Sequence, residues 1–115
     1  AGSARQALTR LRFICQLSDT GNELPMSALN SLVSEAIDVV VHCARTPEGP
    51  RVTAVICVED QTTGAESTQF TATDVFDRST GGSLRWTDNI PARTAAAFRD
   101  AGLDIRHVLR AGELS

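Results

Sequence analysis

The spacing of apolar residues predicts two helices at the start of the chain. Over residues 3–17 one helix face is formed by apolar side chains three and four positions apart: Ala4, Ala7, Leu8, Leu11, Ile14 and Cys15. Ser3, followed three residues later by Gln6, forms a capping box and marks the helix start. A second helix is predicted over residues 25–36, because Pro25 suits a first turn and Leu29, Leu32 and Val33 continue an apolar stripe.

The pattern then changes to that of β-structure. Residues 37–45 and 51–59 are rich in β-branched side chains, and the segment between them carries two prolines and a glycine. This pattern predicts a hairpin with a five-residue loop. Such a loop places Arg45 opposite Arg51, Val41 near Val55 and Val39 near Cys57. A third strand is predicted over about residues 68–76, and a short fourth strand over residues 83–87.

Helical signals return in the C-terminal part. Pro91 can open a helix that Gly102 ends, and Asp104 can cap a shorter helix over residues 105–110. The order ααβββ(β)αα predicts an α+β fold: two N-terminal helices, an antiparallel hairpin or meander of three to four strands, and C-terminal helices. The 115 residues are expected to form a single unit, 1–115, either complete in itself or one end of a larger α/β domain.

Composition removes several functional classes. The net charge is −3 and no apolar run approaches membrane-spanning length, so neither a domain that relies on phosphate contacts to nucleic acid nor a transmembrane chain is expected. All eleven basic residues are arginine. The chain therefore has no lysine for a Walker A loop or for Schiff-base chemistry, and the motifs GxxxxGK(S/T), GxGxxG and HExxH do not occur.

Few residues suggest chemistry of their own. His42, Cys43, Cys57 and His107 are the strongest metal candidates, but neighbouring strand residues point to opposite faces, so reduced, buried thiols are favoured for Cys15, Cys43 and Cys57. The acidic pairs Glu59–Asp60 and Asp74–Asp77 are expected to be solvated rather than to bind magnesium. The basic first helix, with Arg5, Arg10 and Arg12, is either a solvated face or a phosphate or partner site. Trp86 is expected to serve packing.

Four segments resemble one protein family. The opening AGSARQALTRLRFI, the later LNSLVSEAIDVVVHCART, the strand RVTAVICVED and the segment TATDVFDR resemble the C-terminal part of type II/type IV secretion ATPases, most closely the tight-adherence (Flp-pilus) and conjugation-type branch. Gly2, Ser3, Ala4 and Arg5 match the tail of that family's histidine box, with Gly2 where the family usually has Asn. Residues 36–42 and Arg45 match its "AIDLVVHL-R" strand. The resemblance covers about residues 1–78.

The resemblance implies a specific function. Family members are cytoplasmic homohexamers with a RecA-like core that use ATP and Mg²⁺ to drive pilus assembly or secretion, at the inner face of the membrane and beside its secretion platform proteins. The Walker motifs would lie upstream of Ala1, so this segment would serve structure and subunit contacts, would bind no cofactor by itself and would not be catalytic alone. Ser3 and Arg5 would lie near the nucleotide or a subunit interface. The alternative is a stand-alone α+β protein-interaction module.

Overall fold

A four-stranded antiparallel sheet with helices on both faces forms the fold. The computed structural model describes residues 3–17, 25–60, 71–78 and 83–112. The strands are β1 (Val39–Thr46), β2 (Gly49–Val58), β3 (Ala72–Asp77) and β4 (Arg85–Trp86), and they neighbour one another in chain order. The helices are α1 (Ala4–Gln16), α2 (Met26–Ala36), α3 (Ala92–Asp100) and α4 (Ile105–Gly112). The predicted α+β class, antiparallel meander and element order are confirmed.

The helix boundaries follow the capping residues. The Ser3 hydroxyl oxygen accepts a hydrogen bond from the amide of Gln6 and starts α1, as the capping box predicts. Pro25 and Pro91 each stand one residue before a helix, at the N-cap position. Gly102 has a φ of +79° and ends α3, while the amide of Leu103 reaches back to the carbonyl oxygen of Phe98. This is a Schellman ending, for which glycine is the favoured residue.

The hairpin register agrees with the prediction at one end only. Val41 lies opposite Val55 and Val39 opposite Cys57, as expected, but Arg45 lies opposite Pro50 rather than Arg51. The loop is shorter than predicted, because Thr46 already pairs with Gly49, whose φ of +110° suits glycine. Thr53 is an extra residue on β2 that shifts the register between His42 and Cys43. The short turn and this β-bulge offset each other.

A second bulge lies beside the first. The pairing of β2 with β3 shifts between Val55 and Ile56, which leaves Val75 as the extra residue of β3. The third strand begins at Ala72 rather than near residue 68; residues 68–70 of that prediction lie outside the described part. The fourth strand is only Arg85–Trp86, shorter than expected.

Each face of the sheet has its own core. Alternate residues of β2 serve the two sides, since Ile56 and Val58 pack with α1 and α2, whereas Cys57 packs with α3 and α4. The first cluster also contains Ala4, Leu8 and Val33, and the second Val75, Ala95, Ile105 and Leu109. The central strand is therefore covered on both faces. Among the described helices, none has the length and apolar character that a membrane span requires.

Candidate functional site: a cleft between helix α1 and the sheet

A cleft of about 430 Å³ opens where the N-terminus of α1 meets the sheet. Its lining residues come from α1 and three strands: Ser3, Ala4, Arg5, His42, Ala44, Thr53, Ala54, Ile56, Asp74, Asp77 and Arg78. The floor is apolar and made largely of alanine side chains, which are too short to fill the space beneath the helix. The rim is charged. The cleft thus combines a small apolar floor with polar groups that could fix the orientation of a ligand or a partner side chain.

Arg5 forms one wall of the cleft. Its Nη1 donates to Asp74 Oδ1 at 2.8 Å, and its Nη2 donates to the carbonyl oxygen of Ala72 at 2.9 Å. Both side chains of the ion pair are about half exposed, at 49% and 51%. Arg5 therefore connects the first turn of α1 to β3.

The β-bulge at Thr53 forms the opposite wall. Thr53 Oγ1 donates to the carbonyl oxygen of His42 at 3.1 Å and lies 2.8 Å from His42 Nδ1. The bulge thereby fixes the orientation of the imidazole at the cleft. Bulges often occupy such positions, because they redirect side chains without breaking the sheet.

Arg78 closes the cleft at the end of β3. Its amide donates to the carbonyl oxygen of Thr53, and its Nε donates to that of Val52, each at 2.9 Å. These contacts hold the chain after β3 against the bulged part of β2. Asp77, exposed on β3 and paired with Ala54, adds a carboxylate to the same rim.

The structure brings together some of the predicted residues and separates others. Ser3 and Arg5, the two predicted site residues, both line the cleft. A solvated arginine face, one of the two alternatives for α1, does not describe Arg12. Its Nη1 donates to Asn30 Oδ1 at 2.9 Å in a half-buried contact that joins α1 to α2. Arg10 is exposed. The three arginines of α1 therefore have three different environments.

The proposed metal ligands occupy different parts of the molecule. His42 faces the cleft, Cys43 is exposed, and Cys57 is buried in the second core. The expectation that all three cysteines are buried is wrong for Cys43, because that residue lies on the uncovered face of β1. His107 is exposed on α4. Over the ranges that the structure describes, no three His, Cys, Asp or Glu side chains form a metal-binding group.

Two further predictions concern Glu59 and Trp86. Glu59 is not simply solvated, because its carboxylate accepts from the amides of Ala92 and Arg93 at the start of α3. Trp86 packs against the second core, and its indole N–H donates to the carbonyl oxygen of Asn89. The packing role expected for the tryptophan is confirmed.

The comparisons with known proteins add no relative. No family model, curated protein or solved structure matches the chain. The cleft must therefore be interpreted from its own residues. Sequence reasoning missed Thr53, Asp77 and Arg78 as cleft residues. Thr53 gave no local signal of its own, since its position depends on the bulge; it lies, like Asp77 and Arg78, in a segment that resembles the ATPase family.

Proposed function

We propose that the chain is the C-terminal part of a hexameric motor ATPase for secretion or pilus assembly, with a structural and subunit-contact role. The proposal rests on where the cleft residues lie in the sequence. Every lining residue belongs to one of the four segments that resemble the ATPase family, while residues 83–112 contribute none. Segments that are far apart in sequence and share a family pattern thus meet around a single feature of the surface.

The geometry favours a structural role for Arg5 over direct catalysis. Arg5 joins the first turn of α1 to β3 through Asp74, in addition to the core packing of Ala4 and Leu8. In the full ATPase this turn would follow the histidine box. Arg5 would then act as a positioning residue. By joining the first turn of α1 to the sheet, it would couple the positions of the histidine box and of a neighbouring subunit to the sheet. Ser3 would contribute by capping the same turn.

The proposal places the cofactors elsewhere in the protein. ATP and Mg²⁺ would bind to the motifs upstream of Ala1, since this chain has no lysine and no phosphate-binding glycine loop. The partners would be the other subunits of a cytoplasmic homohexamer and the platform proteins at the inner membrane. The second candidate, a stand-alone interaction module, is favoured by the apolar side chains exposed on β1, with Val39 at 45% and Val41 at 54%.

The reading frame that encodes the chain tests the proposal first. It should continue upstream of Ala1 and encode a GxxxxGK(S/T) loop, and the 115-residue chain alone should neither hydrolyse ATP nor bind it with micromolar affinity. Phosphate release and calorimetry with Mg-ATP measure both. A frame without that loop, or turnover by the isolated chain, would overturn the proposal.

Variants of the full ATPase test the role of Arg5. Arg5→Ala should lower ATP turnover severalfold, whereas Arg10→Ala, which removes an exposed arginine from the same helix, should not. Asp74→Asn distinguishes two mechanisms: it should reproduce the loss if Arg5 acts by holding α1 to β3, and should be nearly silent if Arg5 contacts nucleotide directly. Wild-type rates for both arginine variants would contradict any role of Arg5.

A further inference from the structure

A groove of about 430 Å³, the α3–α4 groove, lies between the two C-terminal helices and is lined by residues between Ile90 and Arg106. Its floor is formed by Ala95 and Ile105, which are buried in the second core. Ala95 has only a methyl group, so the surface of α3 is hollow at this point. The groove residues do not line the cleft, and all of them lie outside the segments that resemble the ATPase family. A ligand of this groove is therefore independent of the proposed ATPase role.

Two apolar side chains of the groove are exposed, although the ends of helices commonly cover residues at their positions. Leu103 follows the Schellman ending of α3, where the residue at this position commonly packs against Phe98, yet Leu103 is 59% exposed. Ile90 stands directly before the N-cap Pro91, where an apolar residue commonly packs on the fourth helical residue, here Ala95. Ile90 is nevertheless 46% exposed. Both side chains thus offer apolar surface to a ligand.

The positions of these two side chains indicate the length of a ligand that contacts both. Ile90 precedes α3 and Leu103 follows it, and the nine residues of the helix span about 14 Å at about 1.5 Å per residue. An extended peptide advances about 3.3 Å per residue, so about four residues cover this distance. An acyl chain would require a wholly apolar site, whereas the exposed side chains of Arg99 and Arg106 lie at the rim of this groove.

Arg99 gives the groove a positive charge. Its side chain is exposed, and it forms no ion pair with any residue that the structure describes. The other two charged lining residues neutralise each other, since Arg106 Nη2 lies 3.1 Å from Asp104 Oδ2. Residues 90–112 contain four arginines and two aspartates, although the whole chain has a net charge of −3. A carboxylate beside an apolar side chain therefore complements this groove in both charge and hydrophobicity.

We propose that the α3–α4 groove binds a short, extended acidic segment of a partner protein, whose bulky apolar side chain enters the groove while an adjacent carboxylate pairs with Arg99. A second copy of this chain presenting the same groove would bring like-charged arginines together, which costs energy. A nucleic acid or an anionic membrane is recognised through several basic groups, and Arg99 is the only lining arginine without an ion pair among the described residues. The groove therefore fits an acidic peptide better than these other occupants.

Selection from a library of random peptides displayed on phage tests the groove without knowledge of the partner. The full chain is the target, and the enriched peptides should share an acidic residue next to a leucine, isoleucine, phenylalanine or tryptophan. A synthetic copy of an enriched peptide should bind the chain with micromolar affinity in calorimetry. In nuclear magnetic resonance spectra the same peptide should shift the amide signals of residues 90–106 more than those of β1.

Two pairs of variants locate the bound peptide. Arg99→Ala should weaken binding about fivefold, whereas Arg110→Ala, which removes an exposed arginine of α4 outside the groove, should not. Leu103→Ser should weaken binding about tenfold, whereas Val108→Ser should not, because Val108 is similarly exposed at 54% but lies outside the groove. All four side chains are exposed, so the variants should retain the circular dichroism spectrum of the wild type.

The other occupants are distinguished by the same variants. Decanoate, phosphatidylglycerol vesicles and the chain itself, examined by sedimentation, should show no binding that depends on Arg99. Such binding by any of the three would overturn the proposal. A selection that enriches no peptide, or only peptides without an acidic residue, would overturn it too, as would unchanged affinity in either Arg99→Ala or Leu103→Ser.

Discussion

The three cysteines differ in environment although each lies in an apolar stretch of sequence. Cys57 is buried between β2 and the C-terminal helices, and this burial raises the pKa of its thiol above the ordinary value, although a hydrogen bond with Thr94 acts in the opposite direction. Cys43 lies on the uncovered face of β1, and Cys15 is partly buried on α1. Reactivity toward thiol reagents requires both access and the thiolate form, so these residues should differ strongly.

We expect Cys43 to react rapidly with a thiol reagent at pH 8 and Cys57 to react about 100-fold more slowly, because its thiol is both buried and less ionised. The measurement is the labelling rate of Cys15→Ser protein in dilute solution, before and after addition of denaturant. Cys43→Ser should remove the fast phase, and Cys57→Ser should leave it unchanged. A fast phase that persists without Cys43 would contradict the assignment.

At the scale of elements, the sequence predicts what depends on neighbouring residues. The caps at Ser3 and Asp104 and the ending at Gly102 were recognisable because capping acts over three or four residues. The bulges were not predicted, since the register of a hairpin depends on the turn and on distant packing together. For the same reason the sequence predicts the cleft only in part. Ser3 and Arg5 are recognisable from the sequence, whereas Thr53 lines the cleft only because a β-bulge places it there.

Helix α4 provides a pH-dependent test of capping. Asp104 Oδ1 accepts from the amide of Arg106, and the Arg106 side chain forms further hydrogen bonds with the same carboxylate. The Arg106 side chain is the main reason that the pKa of Asp104 lies below its ordinary value of 3.8. A carboxyl group with a lowered pKa in the folded state contributes stability above its unfolded pKa and loses it as the pH falls through the folded value.

The denaturation midpoint of the wild-type chain should therefore fall as the pH drops below about 4. Asp104→Asn keeps a capping side chain without the charge, so its midpoint should depend less on pH over the same interval. Asp100→Asn, which removes an exposed carboxylate from α3, is the control and should retain the wild-type pH dependence. Parallel curves for wild type and Asp104→Asn would contradict the assignment.

At the scale of the whole molecule, Glu59 and Arg93 join the two helical layers around the end of β2. The Glu59 carboxylate accepts from the first amides of α3 at 2.9 and 3.1 Å, which satisfies donors that the helix itself cannot. The Arg93 side chain extends from α3 to the end of α2, where it donates to the carbonyl oxygens of Ser34 and Ile37 and to the carboxylate of Asp38. This junction connects both cores.

Loss of the Arg93 side chain should therefore destabilise the entire domain. Its side chain is only 20% exposed and makes three hydrogen bonds of 2.7–2.9 Å, so Arg93→Ala should lower the free energy of unfolding by about 2 kcal/mol. Arg93→Lys should recover only part of this loss, because an ammonium group cannot reproduce the planar fork that reaches the two carbonyl oxygens and Asp38 together.

Arg99→Ala, which removes an exposed arginine from the same helix, should change the free energy of unfolding by less than about 0.5 kcal/mol. Urea unfolding followed by circular dichroism and by Trp86 fluorescence measures these differences. If Arg93→Ala were as stable as Arg99→Ala, the connection between the two layers would rest on apolar packing of the two cores and not on this junction.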